Sequence, residues 1–241
     1  MYRRAFFISA FPMLACLLLS CGGDEEQRPP DTAKKDTAVE APRPAYPALR
    51  PGLRYAVELY KKNFTPYDDA IARIGPHMYY CSYKGKVSRA DTSGKDRAPL
   101  FNMNVEFLVD KCYLLPHDGD YLVFWQETDH LGVKSYAGRF KSGSEKPEWK
   151  ITFKAPNVGQ PTIDGNTGYV TAAGTLARVD LQSGAIEWKC DTLFNKYTTA
   201  FYKFAPARVY DSTVVFTEIP TGNRKRSDSV RVHVRTGELV R

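Results

Sequence analysis

Reactive side chains are sparse in this sequence of 241 residues, which holds four histidines and five cysteines. No two cysteines are adjacent or in CxxC spacing, so zinc binding and dithiol redox chemistry have no support. His77, His117, His130 and His233 are scattered without metal-ligand spacing, and read as strand-end or surface residues. There is no G-x-S-x-G elbow, which removes the usual signature of a serine hydrolase. Asp118-Gly119-Asp120 lacks the further oxygen ligands of a calcium loop and reads as a β-turn. Basic charge is not gathered either. The net charge is +7, and the only dense basic cluster, Arg224-Lys225-Arg226, sits among Gly222, Asn223, Ser227 and Asp228 as a solvated loop tip. Nucleic-acid binding is therefore not expected. With 43% hydrophobic and 25% charged residues, the chain is neither wholly disordered nor a multi-pass membrane protein.

Long apolar runs are missing except at the start. Arg3 and Arg4 precede an apolar run from Ala5 to Ser20, shorter than the roughly 20 residues that span a bilayer. Residues 1–20 therefore read as a cleaved signal peptide. The run ends in Leu18-Leu19-Ser20-Cys21, which resembles the lipobox of bacterial lipoproteins. That resemblance implies lipid attachment, including palmitate, at Cys21, because only a thiol carries the thioether. Residues 21–51 are rich in proline and charge with almost no large apolar side chains, and are expected to form a disordered tether. The cluster Asp24-Glu25-Glu26 just after Cys21 resembles the surface-export signal of Bacteroidota lipoproteins. The address is the outer membrane, facing either the cell surface or the periplasm. Cys16 leaves with the signal, so Cys81, Cys112 and Cys190 remain, enough for at most one internal disulfide.

The rest of the chain repeats. In residues 160–188 a turn at Asp164-Gly165-Asn166 precedes a β-rich run at Tyr169-Val170-Thr171. Gly174, a second run from Leu176 to Leu181, then Ser183-Gly184 and Trp188 follow. Tyr80, Gly85 and Asp91 repeat that spacing, and Ser93-Gly94 follows one residue earlier relative to the Asp. Tyr121–Glu127 and Val133–Phe140 lead into Ser142-Gly143 and Trp149, while Ser212–Glu218 and Ser229–Val234 close on Thr236-Gly237. Ser/Thr-Gly pairs thus fall at 93, 142, 183 and 236, and strand pairs at such a period mark propeller blades. The glycine supplies positive φ in the turn, and the upstream Asp can accept from its free N–H groups.

This pattern resembles the PQQ-like propeller repeat, whose motif runs A-x-D-x-x-[TS]-G-x-x-x-W. Asp180, Ser183, Gly184 and Trp188 match, with Arg178 in place of the Ala; Asp91, Ser93 and Gly94 match with one residue deleted and no Trp. Ser142, Gly143 and Trp149 match with the Asp lost and two residues inserted before the Trp, and at Gly237 the Asp place is taken by His233 and the Trp place by Arg241. The resemblance covers residues 78–241 and implies an all-β, propeller-like array of about four degenerate four-stranded blades: a small, incomplete or truncated propeller. Before it, Tyr55, Val57 and Leu59 alternate as a strand that could close or cap the array. Thr65-Pro66, Asp68-Asp69 and Ala70–Gly75 read as a short capped helix, the acidic pair complementing its dipole, so that 52–76 leads into a propeller at 77–241.

The quinoprotein dehydrogenases of this fold enclose a quinone within eight blades, using an adjacent cysteine pair and calcium ligands, none of which is in this sequence. No cofactor and no catalytic residue are expected. The leading expectation is a non-enzymatic, lipid-anchored scaffold that presents blade edges and loops to a protein partner in the cell envelope. The alternative is a surface lipoprotein capturing glycan or peptide, with Tyr121, Phe124, Trp125 and Tyr136 as stacking residues.

Overall fold

The computed structural model describes residues 48–240, apart from 63, 64, 66 and 195–198. Every regular element among them is a strand. The first two, β1 (Arg54–Tyr55) and β2 (Val57–Lys61), precede four meanders. Blade 1 comprises β3 (Ala70–Ile74), β4 (His77–Cys81), β5 (Lys86–Ala90) and β6 (Ala98–Asn102). Blade 2 holds β7 (Leu108–His117), β8 (Asp120–Thr128), β9 (Val133–Phe140) and β10 (Trp149–Phe153). Blade 3 is built from β11 (Thr162–Asp164), β12 (Thr167–Ala172), β13 (Thr175–Asp180) and β14 (Ile186–Cys190). In blade 4, β15 (Arg208–Val209), β16 (Thr213–Thr217) and β17 (Ser229–His233) carry a fourth, single-bridge contact between Val232 and Leu239. All pairings are antiparallel and follow chain order within each blade. The architecture is an all-β partial propeller. Short turns drive the meander: Asp118 and Gly119 both take positive φ (51° and 83°), which matches the right-handed twist of the flanking strands β7 and β8.

Three apolar cores lie between successive blades. Tyr79, Phe101, Val123, Trp125 and Phe140 fill the space between blades 1 and 2. Phe124, Phe153, Ile163, Val170 and Leu181 fill the next, and Tyr169, Trp188, Val214, Phe216 and Val232 the last. The outward faces of blades 1 and 4 mix polar side chains with Ile71, Met78, Tyr80 and Val215. On blade 1, Arg97 lies over the Tyr80 ring at 4.4 Å and donates to Ser88 Oγ and Asp69 Oδ2. Blade 4 turns Thr213, Thr217, Ser229, Arg231 and His233 away from its core.

The segment before blade 1 ties the array together. Arg50 N–H donates to Val209 O at the inner strand of blade 4. Next, β1 pairs with β11 of blade 3. Then β2 pairs through residues 57–59 with β7 of blade 2 and through Tyr60 and Lys61 with β3 of blade 1. One stretch of chain thus crosses the inner edge of all four blades, in the order 4, 3, 2, 1. It satisfies backbone groups that each inner strand would otherwise leave unpaired.

Three expectations are corrected here. The segment Ala70–Ile74 is a strand, not a helix: β2 and β4 flank it, and burial alternates along Ala70 and Ala72 as a sheet demands. Asp69 therefore pairs with Arg97 rather than with a helix dipole. Residues 55–59 are extended, but Ala56 is buried and Tyr55 exposed, because the segment breaks at Ala56 where it passes between blades. Arg50 is no part of a free tether, since its guanidinium donates to Asp164 Oδ2 at 2.7 Å and to Asp211 O at 2.7 Å. The signal peptide, Cys21 and the tether up to residue 47 lie outside the described residues.

Candidate interaction site

Antiparallel meanders send their connections to two ends of the array. At one end lie the tight motif turns between third and fourth strands. Asp180 Oδ1 accepts from Ser183 N at 2.7 Å, Ser183 Oγ at 2.6 Å and Gln182 N at 3.2 Å, and these bonds, led by the Ser183 hydroxyl, hold its carboxyl below its ordinary range. Asp91 does the same with Ser93 and Lys95, with the same effect on its titration. In blade 4, His233 Nδ1 takes the acceptor role toward Arg235 N at 3.4 Å. In blade 2 the place belongs to Arg139, a donor, which instead binds Asp120 Oδ2 at 2.7 Å.

These turns join neighbouring blades. Trp149 of blade 2 donates from Nε1 to Leu181 O of blade 3 at 3.2 Å, and Trp188 of blade 3 donates to Val234 O of blade 4 at 3.0 Å. Each indole lies directly on the motif glycine of the next blade. A Cβ on Gly184 would stand 2.5 Å from Trp149, and one on Gly237 2.7 Å from Trp188. The structure thus brings Trp149 onto Gly184 and Trp188 onto Gly237. Gly94 has only the Tyr80 hydroxyl nearby, and Gly143 has no described atom within 4 Å of its Cβ direction.

The opposite end carries the long loops, and its organising residues escaped the sequence reading. Glu127, buried at the end of β8, accepts from Trp125 Nε1 at 2.8 Å, Glu106 N at 3.0 Å and Phe107 N at 3.2 Å. Glu218, buried just past β16, accepts from Phe201 N at 2.7 Å and Arg224 Nη1 at 2.6 Å. Both carboxylates fasten the loop that leads into their own blade. The signal was a Glu closing each second strand, but single occurrences in two of four blades do not stand out as a motif. A cleft of about 590 Å³ opens here among Tyr83, Lys84, Asn104, Glu106, Asp129 and His130. Around this end Tyr67, Leu131, Phe194 and Ile219 are exposed, Leu131 by 82%.

Other sequence candidates are spent on structure. Trp125 and Phe124 are 0% exposed, and Tyr121 and Tyr136 are buried with them. Trp125 stacks on Tyr136 at 5.2 Å, and burial pushes the Tyr136 hydroxyl up to about 12. The four aromatics are therefore core, not a sugar-stacking platform. His117 is buried at the end of β7. Its Nδ1 accepts from Arg54, while Nε2 faces Asp118 Oδ2 at 3.3 Å without hydrogen-bond geometry. Burial lowers its pKa, and Arg54 adds to that effect while Asp118 opposes it. Arg224 is not a loop tip but the partner of Glu218 and Asp228. Cys81, Cys112 and Cys190 are free thiols; a hydrogen bond with Cys81 and full burial push the Cys112 thiol well up. Among the described residues no group of His, Cys, Asp or Glu is placed to hold a metal ion.

No family model matches the chain, and no curated protein matches it. Solved structures do. BamB from Moraxella catarrhalis aligns over 78% of this chain and 50% of its own, at 19% identity and TM-score 0.45. A quinohemoprotein alcohol dehydrogenase from Pseudomonas putida aligns over 78% of this chain and 22% of its own, at 14% identity and TM-score 0.34. The quinohemoprotein alcohol dehydrogenase from Comamonas testosteroni aligns over 68% and 31%, at 12% identity and TM-score 0.38. The chain spans half the length of the first of these and a third or less of the others. The blade architecture rests on the strand order, register and inter-blade cores above.

Proposed function

We propose that this chain is a non-enzymatic, lipid-anchored scaffold for protein interaction at the bacterial cell envelope, held to the outer membrane through Cys21. The observation that carries this reading is the loop end. Connections from all four blades meet there, fastened by Glu127, Glu218 and cross-loop bonds such as Gly174 N–H to Phe201 O and Ile219 N–H to Lys203 O. Tyr67, Leu131, Phe194 and Ile219 are exposed around that hydrogen-bonded base, and exposed apolar and aromatic side chains suit protein contact. The anchor rests on the lipobox at Leu18–Cys21 alone.

Photo-crosslinking amino acids placed at Leu131 and Phe194 in cells test the scaffold. Reproducible adducts with an envelope protein are expected, and no adduct at either position across growth conditions would overturn it. The anchor has its own test. A fatty-acid analogue is expected to label wild type and not Cys21→Ser, because a hydroxyl does not replace the thiol as acceptor. Equal label on both proteins, or on neither, would remove the lipoprotein reading.

A further inference from the structure

The segment that crosses the four blades is held least at Arg54 and Tyr55. On one side of them Arg50 is fixed by Val209 O, Asp164 and Asp211. On the other, Ala56 is buried, with its N–H on Pro161 O and its carbonyl accepting from Gln160 Nε2 at 2.9 Å. Between these two points β1 is two residues long, and both are exposed. It meets β11 through two residue pairs, Arg54 with Ile163 and Tyr55 with Thr162. One side chain reinforces that short ladder. The Arg54 guanidinium donates to Nδ1 of His117, the last residue of β7 in blade 2.

An imidazole accepts such a bond only while it is neutral. His117 is 3% exposed, and several elements surround its ring with charge. Asp120 of β8 lies opposite it in the ladder, but its Oδ2 is taken at 2.7 Å by Arg139 of β9, which brings a second guanidinium to the site. Asp118 Oδ2 stands 3.3 Å from Nε2 on a side chain that is 71% exposed, so water screens its charge. The β11–β12 turn contributes the Asn166 side chain, and Asp164 before it is paired with Arg50. Lys141 and Glu148 pair with each other at the rim of the same pocket. A proton on Nδ1 therefore removes the acceptor for Arg54 and sets an imidazolium against two guanidiniums, opposed by the exposed Asp118.

We propose that His117 is a pH-sensitive latch on the crossing segment: the neutral ring holds Arg54 at the inner edge of blade 3, and the protonated ring lets β1 leave β11. The segment loosens in its middle, between the fixed points at Arg50 and Ala56, and the Thr162–Ile163 edge loses its partner. In the released state the ring meets water and takes up its proton near pH 6.5, as an ordinary histidine does. In the docked state burial, with Arg54 adding to it and Asp118 opposing, lowers the pKa. Release is thus favoured as the pH falls below about 6.5, by up to about tenfold per pH unit until the docked ring is itself protonated.

The latch depends on neither the lipid anchor nor the scaffold reading, and hydrogen exchange on the full-length protein in detergent tests it. Between pH 7.5 and 5.5, protection of Arg54–Tyr55 and Thr162–Asp164, corrected for the intrinsic rate at each pH, should fall by up to about tenfold. Dilute urea should leave those rates at pH 5.5 unchanged, because a local release exposes little surface. Rates that rise with urea as steeply as those of Thr213–Thr217 would mean unfolding of the whole molecule, and would overturn the latch. In His117→Gln the side chain keeps an acceptor for Arg54 and has no proton to take up, so the fall should vanish; a fall that persists assigns it to other groups. As a check independent of that variant, Arg54→Gln should move the titration of the His117 ring, followed by its carbon-bound proton resonances, to higher pH. An unchanged titration there, or unchanged protection in the wild type, would also overturn the proposal.

Discussion

Two glycines with nearly the same backbone conformation separate a turn's own cost from the cost of its contact. At Gly143 an added methyl meets only positive-φ strain, so Gly143→Ala should destabilise by about 1 kcal/mol. At Gly184 the methyl would also meet the Trp149 ring at 2.5 Å, and Gly184→Ala should cost about 2–4 kcal/mol. Urea midpoints of the two variants measure the difference. His117 makes a second residue-scale case. Burial beside Arg54 favours its neutral form, so its folded pKa lies below that of the unfolded chain. The unfolded chain then takes up the proton first. Stability is complete above about pH 6.5 and falls as the pH drops below it. In His117→Gln the loss of stability between pH 7.5 and 5.5 should shrink; an unchanged pH slope would assign that loss to other groups.

At the scale of elements, β2 is the strand on which two blades depend. Leu59 is buried in the core between blades 1 and 2, and its neighbours along β2 pair with β7 on one side and β3 on the other. Leu59→Ala should cost about 2–5 kcal/mol, and amide exchange should quicken in β3 and β7 together. Quickening confined to one blade would show that the strand serves only that side. The meander strands themselves were legible, because turn residues such as Asp118-Gly119 and Ser183-Gly184 announce hairpins locally. Local patterns misread Ala70–Ile74: Thr65-Pro66 and Gly75 are sound helix punctuation, and only the strands beside the segment make it extended. The crossing of four blades by residues 50–61 was invisible for the same reason. Its bonds are to partners as far away as Val209, and no periodicity encodes them. Of the turn residues, Gly184 and Trp188 were legible from the motif. The docking of Trp149 on Gly184 was not, since each belongs to a different repeat.

For the whole molecule, a strand laid across all four inner edges sets the order in which the fold can be finished. The first described residues need blade 4: Arg50 pairs with Val209, and its guanidinium reaches Asp164 and Asp211. Blades are local and can form as their residues become available, but the crossing segment lacks these partners until residues up to Asp211 are present. Contacts so distant in sequence slow folding. Refolding should therefore show the blade amides protected early and the Arg54–Lys61 amides protected last, by pulse-labelled exchange; simultaneous protection would refute that order. Until the last step, the inner edges of the blades stay open to strands from other chains, and a partly emerged molecule is at its most aggregation-prone. A chain that finishes at its beginning has to be kept apart from its neighbours for as long as it takes to arrive.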